Sequence, residues 1–75
     1  MKINVLEVIN EEAEHPVEYA SVMKGSMEDE ISTALSELGI FDIMKDELED
    51  LVYALRRGKS WYVQGHCFAT VTLDV

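Results

Sequence analysis

Residues that staple or punctuate a small fold are nearly missing from this chain. Cys67 is the one cysteine, which excludes an internal disulfide. With only His15 and His66 as nitrogen ligands besides it, a structural zinc site lacks donors. Proline occurs once, at Pro16, and glycine four times, with no repeat, linker or low-complexity segment. No apolar run approaches the ~20 residues of a membrane span, and Met1–Asn10 lacks the apolar stretch of a secretory signal. Cations are scarce as well. Between Glu7 and Asp50 fourteen carboxylates are opposed only by Lys24 and Lys45, a balance of −12. A surface of that sign repels nucleic-acid backbones and anionic bilayers, so direct binding to either is not expected.

What is present is enough for one small domain over residues 1–75. Hydrophobic residues make up 48% and charged residues 28%, a globular balance with too many aliphatics for disorder. The net charge is −9, but it is not evenly spread. Beyond Asp50 the chain turns slightly basic, with Arg56, Arg57 and Lys59 against Asp74. A one-sided field of this kind selects partners of opposite sign and speeds their encounter. A single unpaired cysteine suits a reducing compartment, so a cytoplasmic location is expected.

Local patterning predicts the elements. Lys2–Ile9 (KINVLEVI) is β-branched and short, as a strand should be. Asn10–His15 reads as an acidic connection. Pro16 suits the first turn of a helix and Gly25 its left-handed stop, which predicts a short helix over Pro16–Lys24. Alternation of Val17, Tyr19, Ser21 and Met23 with Glu18, Ala20 and Val22 fits a strand almost as well. Ser26 and Asp29 form a capping-box-like pair ahead of an apolar stripe of Met27, Ile31, Ala34, Leu35 and Leu38, ended by Gly39. Asp42 is expected to cap a second helix with the stripe Met44, Leu48, Leu51, Val52 and Leu55, ended by Arg56, Arg57 and Gly58. The tail is β: Trp61–Gln64 and His66–Leu73, with Gly65 either a hairpin turn or a bulge. Cys67, Ala69, Val71, Leu73 and Val75 share the face expected to be core, and His66, Phe68, Thr70, Thr72 and Asp74 the face expected to be mixed or solvated. The predicted fold is α+β, with a small antiparallel sheet from the terminal strands packed against two or three central amphipathic helices.

The acidic residues are the main candidates for function. Asp42, Asp46, Glu49 and Asp50 fall at i, i+4, i+7 and i+8, which places them on one face of the second helix, about opposite its apolar stripe. At 1.5 Å rise per residue the steps between turns are roughly 5–6 Å, close to the spacing of phosphates along a strand. Glu28, Glu30 and Glu37 add carboxylates from the preceding helix, although acids in a first turn are also what the helix dipole favours. Tyr53 lies near Glu49 and Asp50, and an aromatic beside charge is common at protein contact surfaces. The acids do not follow a calcium-loop pattern, and no metal or cofactor is expected. His66 and Cys67 are adjacent in a strand, hence on opposite faces, and cannot form a catalytic dyad with each other. No catalytic residues are expected, and no phosphate loop or hydrolase motif occurs.

In length, acidity and short β–helices–β layout the chain resembles the small inhibitors of phages and mobile elements, anti-CRISPR and anti-restriction proteins among them. Several of these imitate nucleic acid, and they share no common motif. The resemblance implies a non-enzymatic DNA mimic that occupies a basic nucleic-acid-binding protein, for instance a CRISPR-Cas effector. The alternative is a cytosolic protein-interaction module, such as a regulator or antitoxin, whose acidity serves solubility.

Overall fold

The two ends of the chain pair with each other. In the computed structural model, which describes residues 1–75, strand β1 (Lys2–Ile9) runs antiparallel to strand β4 (His66–Asp74), in register from Lys2↔Asp74 to Ile9↔Cys67. Backbone bonds between Met1 and Val75 extend this ladder by one step. Strand β2 (Val17–Val22) flanks β1 and strand β3 (Trp61–Val63) flanks β4, giving the order β2-β1-β4-β3, antiparallel throughout. Helices α1 (Met27–Glu37) and α2 (Lys45–Arg56) cover one face. The α+β expectation therefore holds, with two helices rather than three.

Pro16–Lys24 is not a helix. Val17–Val22 pairs with β1 from Ile9↔Val17 to Val5↔Val22, with a bulge at Glu18. Nine residues make a marginal helix, whereas a neighbouring strand offers a hydrogen-bonded partner and suits β-branched Val17 and Val22. Pro16 instead precedes an edge strand, where its missing N–H costs no ladder bond, and Gly25 does not take a positive φ.

Ser26 caps α1 as its sequence predicts, with its hydroxyl accepting from Asp29 N–H at 3.2 Å. The second half of the cap comes from Glu30, not Asp29. Its carboxylate accepts from the backbone N–H groups of Lys24 and Gly25, at 2.9 and 3.0 Å. Ser26→Ala is expected to cost about 1 kcal/mol and lower the thermal midpoint by ~5 °C, read by circular dichroism on heating. An unchanged midpoint would mean that Glu30 alone holds this helix start.

Asp42 does not cap α2. The helix begins at Lys45 with Met44 in the cap position and no side-chain cap bond. Ile40 is buried and Ile43 packs on the core, which holds the connection non-helical through Asp42. Met44, expected in the buried stripe, is 72% exposed, while Leu51, Val52 and Leu55 are buried and Leu48 is half-buried. Gly58, at φ 73°, ends the helix in the left-handed conformation. Gln64 and Gly65, both at positive φ, form the two-residue turn of the β3–β4 hairpin, with Val63 opposite His66. Gly65 is thus part of a turn and not a bulge.

The core lies on the opposite face of β4 from the one the sequence suggests. Leu6 and Val8 of β1, Phe68 of β4 and Val63 of β3 are fully buried with Ile31, Leu51 and Leu55 of the helices, and Leu35 is buried beside them. Phe68 sits under the helices; Thr72 and Asp74 project beyond them and are exposed. Cys67, Ala69, Val71 and Leu73 point away from the helices. Across the sheet they form rows with their neighbours: Ile3 with Leu73, Val22–Val5–Val71, Ala20–Glu7–Ala69, and Val17–Ile9–Cys67–Tyr62. Cys67 is itself covered, but Val17, Val22, Leu73 and Tyr62 are exposed. This open sheet face is apolar but for Glu7 and, at its edge, the Tyr62 hydroxyl with its partner Glu11.

Candidate functional site on the helical layer

Helical geometry decides which acids converge. On α2, Leu51, Val52, Ala54 and Leu55 face inward, which turns Asp46, Glu49, Asp50 and Tyr53 outward. Tyr53 is 62% exposed and stands three, four and seven residues after the three acids, so it lies in line with them on the outer surface. The carboxylates of Asp46, Glu49 and Asp50 form no salt bridge and accept no side-chain hydrogen bond.

The remaining candidates are engaged elsewhere. Asp42, off the helix, accepts from Gln64 Nε2 at 3.0 Å and ties the helix connection to the β3–β4 turn. Glu30 is occupied in holding the start of α1. Glu28 pairs with Arg56, which places the first turn of α1 beside the last turn of α2, as an antiparallel helix pair requires. Glu37 is exposed at the far end of α1. Of the eight residues predicted, the structure gathers Asp46, Glu49, Asp50 and Tyr53 on one helix face and puts Glu28 on the rim of an adjoining groove.

That groove, about 350 Å³, runs between the helices and is lined by Leu48, Val52 and Tyr53 with Glu28, Lys45, Glu49 and Arg56 around them. A second cleft of about 330 Å³ lies across Tyr53, between Asp50, Ala54, Arg57, Lys59, Ser60 and Trp61. Tyr53 is the shared wall. Arg57 lies 5.2 Å from the centre of its ring and donates to its hydroxyl at 2.6 Å, which holds an exposed aromatic in one place. The sequence assigns Arg56 and Arg57 to the helix end alone. Their i+3 and i+4 spacing from Tyr53 is the available signal for Arg57, whereas the Arg56–Glu28 contact spans 28 residues and leaves no local trace.

Elsewhere, the titratable groups are dispersed. No three of the His, Cys, Asp and Glu side chains stand close enough to hold a metal ion. His66 and Cys67 face opposite ways, and the His66 Nδ1 meets the Glu18 carboxylate at the β2 bulge. Tyr62, opposite Cys67 in the sheet, donates its hydroxyl to Glu11 at 3.0 Å. That bond first, then the adjoining Cys67 thiol, then the charges of both groups, push the Tyr62 phenol up to about 12 from its ordinary 10.0. A raised folded-state value means the contribution to stability is complete below pH 10 and lost as the pH climbs towards 12. Ultraviolet titration of wild type against Tyr62→Phe is expected to isolate this late phenol, and Glu11→Gln should return it towards 10. A Tyr62 that titrates normally in the wild type would show that the bond to Glu11 is not formed.

No helix is long and apolar enough to cross a membrane. No family model matches the chain, and neither a characterised protein nor a solved structure shows significant similarity to it.

Proposed function

We propose that this chain is a non-enzymatic cytoplasmic inhibitor whose helical layer docks on a basic nucleic-acid-binding protein, in place of the nucleic acid. One observation carries this reading: Asp46, Glu49 and Asp50, all without partners, lie along one exposed helix face with Tyr53 fixed in line. Unpaired carboxylates give long-range steering towards a cationic channel. A rigid aromatic supplies the desolvated contact that sets residence time, since area around an anchor excludes water without adding much energy. The three carboxylates span ~6 Å of helix axis, so together they stand in for about two phosphates of one strand, with Glu37 adding a charge at the end of α1. CRISPR effectors and restriction enzymes are partners of the required chemistry.

The test is capture from bacterial lysate on the immobilised chain, eluted in parallel with salt and with duplex DNA. Release of basic nucleic-acid-binding proteins by DNA at constant salt is the expected result. A retained partner indifferent to DNA would contradict it. That outcome would favour a second reading, an interaction module working through the Tyr53–Trp61 cleft, where an aromatic pair flanks Ala54 and Trp61 is 39% exposed.

A further inference from the structure

The open sheet face is unlike the rest of the surface. Its central rows set Val5 beside Val71 and Val22, and Glu7 between Ala20 and Ala69. Of fifteen carboxylates in the chain, Glu7 alone stands within these rows. Exposed apolar residues scattered singly are ordinary, but contiguous rows over a whole sheet face mark a contact surface.

We propose that a second copy of this chain covers this face, in a two-fold dimer packed sheet on sheet with both helical layers outward. Three observations select that occupant. The first is charge. On the function proposed above a basic partner is drawn to the helical layer, whereas the rows of the open face hold one carboxylate, with Glu11 at their edge on the Tyr62 hydroxyl. A chain of net charge −9 can approach its own copy only where carboxylates are sparse. In the packed pair the outer helix faces lie at least roughly 30 Å apart, given ~10 Å between sheets and a ~10 Å helix diameter on each side, several times the ~8 Å screening length. The second is shape. A two-fold interface needs one patch that complements itself, and an apolar face of small and β-branched side chains packs on its copy as the sheets of a sandwich do. A two-fold axis across the strands also sends the acidic connections (Glu11, Glu12, Glu14) to opposite ends. The third is area. Four strands at ~4.8 Å spacing and ~7 residues at ~3.3 Å give a footprint of roughly 450 Å² per copy. Two copies bury roughly 900 Å² of footprint and more of corrugated accessible surface, near the ~1,000 Å² lower limit for a specific interface. The dimer is therefore weak and concentration-dependent.

Sedimentation equilibrium between ~1 µM and ~1 mM, the range in which an interface of this size dissociates, tests the proposal. The wild type is expected to rise from 8.5 kDa towards twice that mass. Val71→Lys, or Leu73→Lys if the first variant loses its circular dichroism spectrum, should weaken association at least ~10-fold by burying a charge on the face. Glu7→Gln should tighten it by roughly tenfold, because it removes the charge that stands within the central rows of the interface. Asp46→Lys with Glu49→Lys should leave the mass unchanged, which separates this interface from the helical site. A wild type that stays at 8.5 kDa to ~1 mM would overturn the proposal and leave the face to another protein. A dimer indifferent to both the lysine variants and Glu7→Gln would overturn it too, since association would then use a different surface.

Discussion

Phe68→Ala is expected to lower the thermal midpoint by ~20 °C and to leave much of the protein unfolded at 37 °C. Phe68 is the largest fully buried side chain, at 0% exposure, and packs between β1 and the two helices. Truncating a buried phenylalanine costs about 3–5 kcal/mol through lost transfer energy and the cavity left behind. A domain of this length has roughly 4–11 kcal/mol in all, and a small core places it low in that range. Leu73→Ala on the same strand makes the contrast. Leu73 is 45% exposed and faces away from the helices, so its loss should cost about 1 kcal/mol or less in the monomer. Thermal unfolding of both variants at ~1 µM, the dilute end of the dimer's association range, measures the difference. A mild Phe68→Ala beside a severe Leu73→Ala would place the helices on the wrong face of the sheet.

The two faces of β4 also mark where the sequence stops being legible. The helix stripes of Ile31, Ala34 and Leu35, and of Leu51, Val52 and Leu55, can be read because each helix buries one face against a sheet, and a 3.6-residue period records it. The buried face of β4 cannot be assigned in the same way. Cys67, Ala69, Val71 and Leu73 are the more uniform apolar set, and such uniformity normally marks burial. Only Phe68 of the other set lies deep beneath the helices, since the strand runs out past them at Thr72 and Asp74. The pattern records burial without naming the cover; a second copy supplies one for the open face. Pro16 and Gly25 mislead for a different reason. Both are compatible with helix ends, but β1 offers Val17–Val22 a ladder, which is a tertiary influence absent from local punctuation. Of the candidate site, the line of Asp46, Glu49, Asp50 and Tyr53 is legible from spacing. The diversion of Asp42 to Gln64, and of Glu28 to Arg56, is not, because these contacts join residues 22 and 28 apart.

Reversing two charges on that line should abolish most binding while sparing the fold. Asp46→Lys with Glu49→Lys changes the net charge from −9 to −5, since each reversal adds two. Both side chains are exposed, so no core contact is lost. A lysine in the first turn of α2 opposes the helix dipole by about 0.5 kcal/mol. Asp46→Lys turns the i, i+4 repulsion with Asp50 into an attraction, and Glu49→Lys turns the i, i+4 attraction with Lys45 into a repulsion of similar size, so these two changes cancel. Stability should therefore stay within ~0.5 kcal/mol of the wild type. Affinity for a partner released by duplex DNA should fall roughly 10-fold per reversed charge at low salt, hence about 100-fold in all. Glu12→Lys with Glu14→Lys, in the β1–β2 connection, makes the same change in net charge away from the helices and should weaken binding far less. Equal losses in the two double variants would mean that overall charge, and not the helix face, governs recognition.

If the helix face of α2 enters a basic channel as nucleic acid does, its binding must carry the salt dependence of released charge pairs. Calorimetry at a series of salt concentrations, on wild type and the Asp46→Lys, Glu49→Lys variant with the DNA-eluted partner, tests this directly. Screening lengths shrink from ~10 Å at 0.1 M to ~3 Å at 1 M salt, so wild-type binding should weaken steeply over that range and the variant along a shallower slope. Affinity that stays flat with salt, or falls equally steeply in both proteins, would contradict recognition through Asp46 and Glu49.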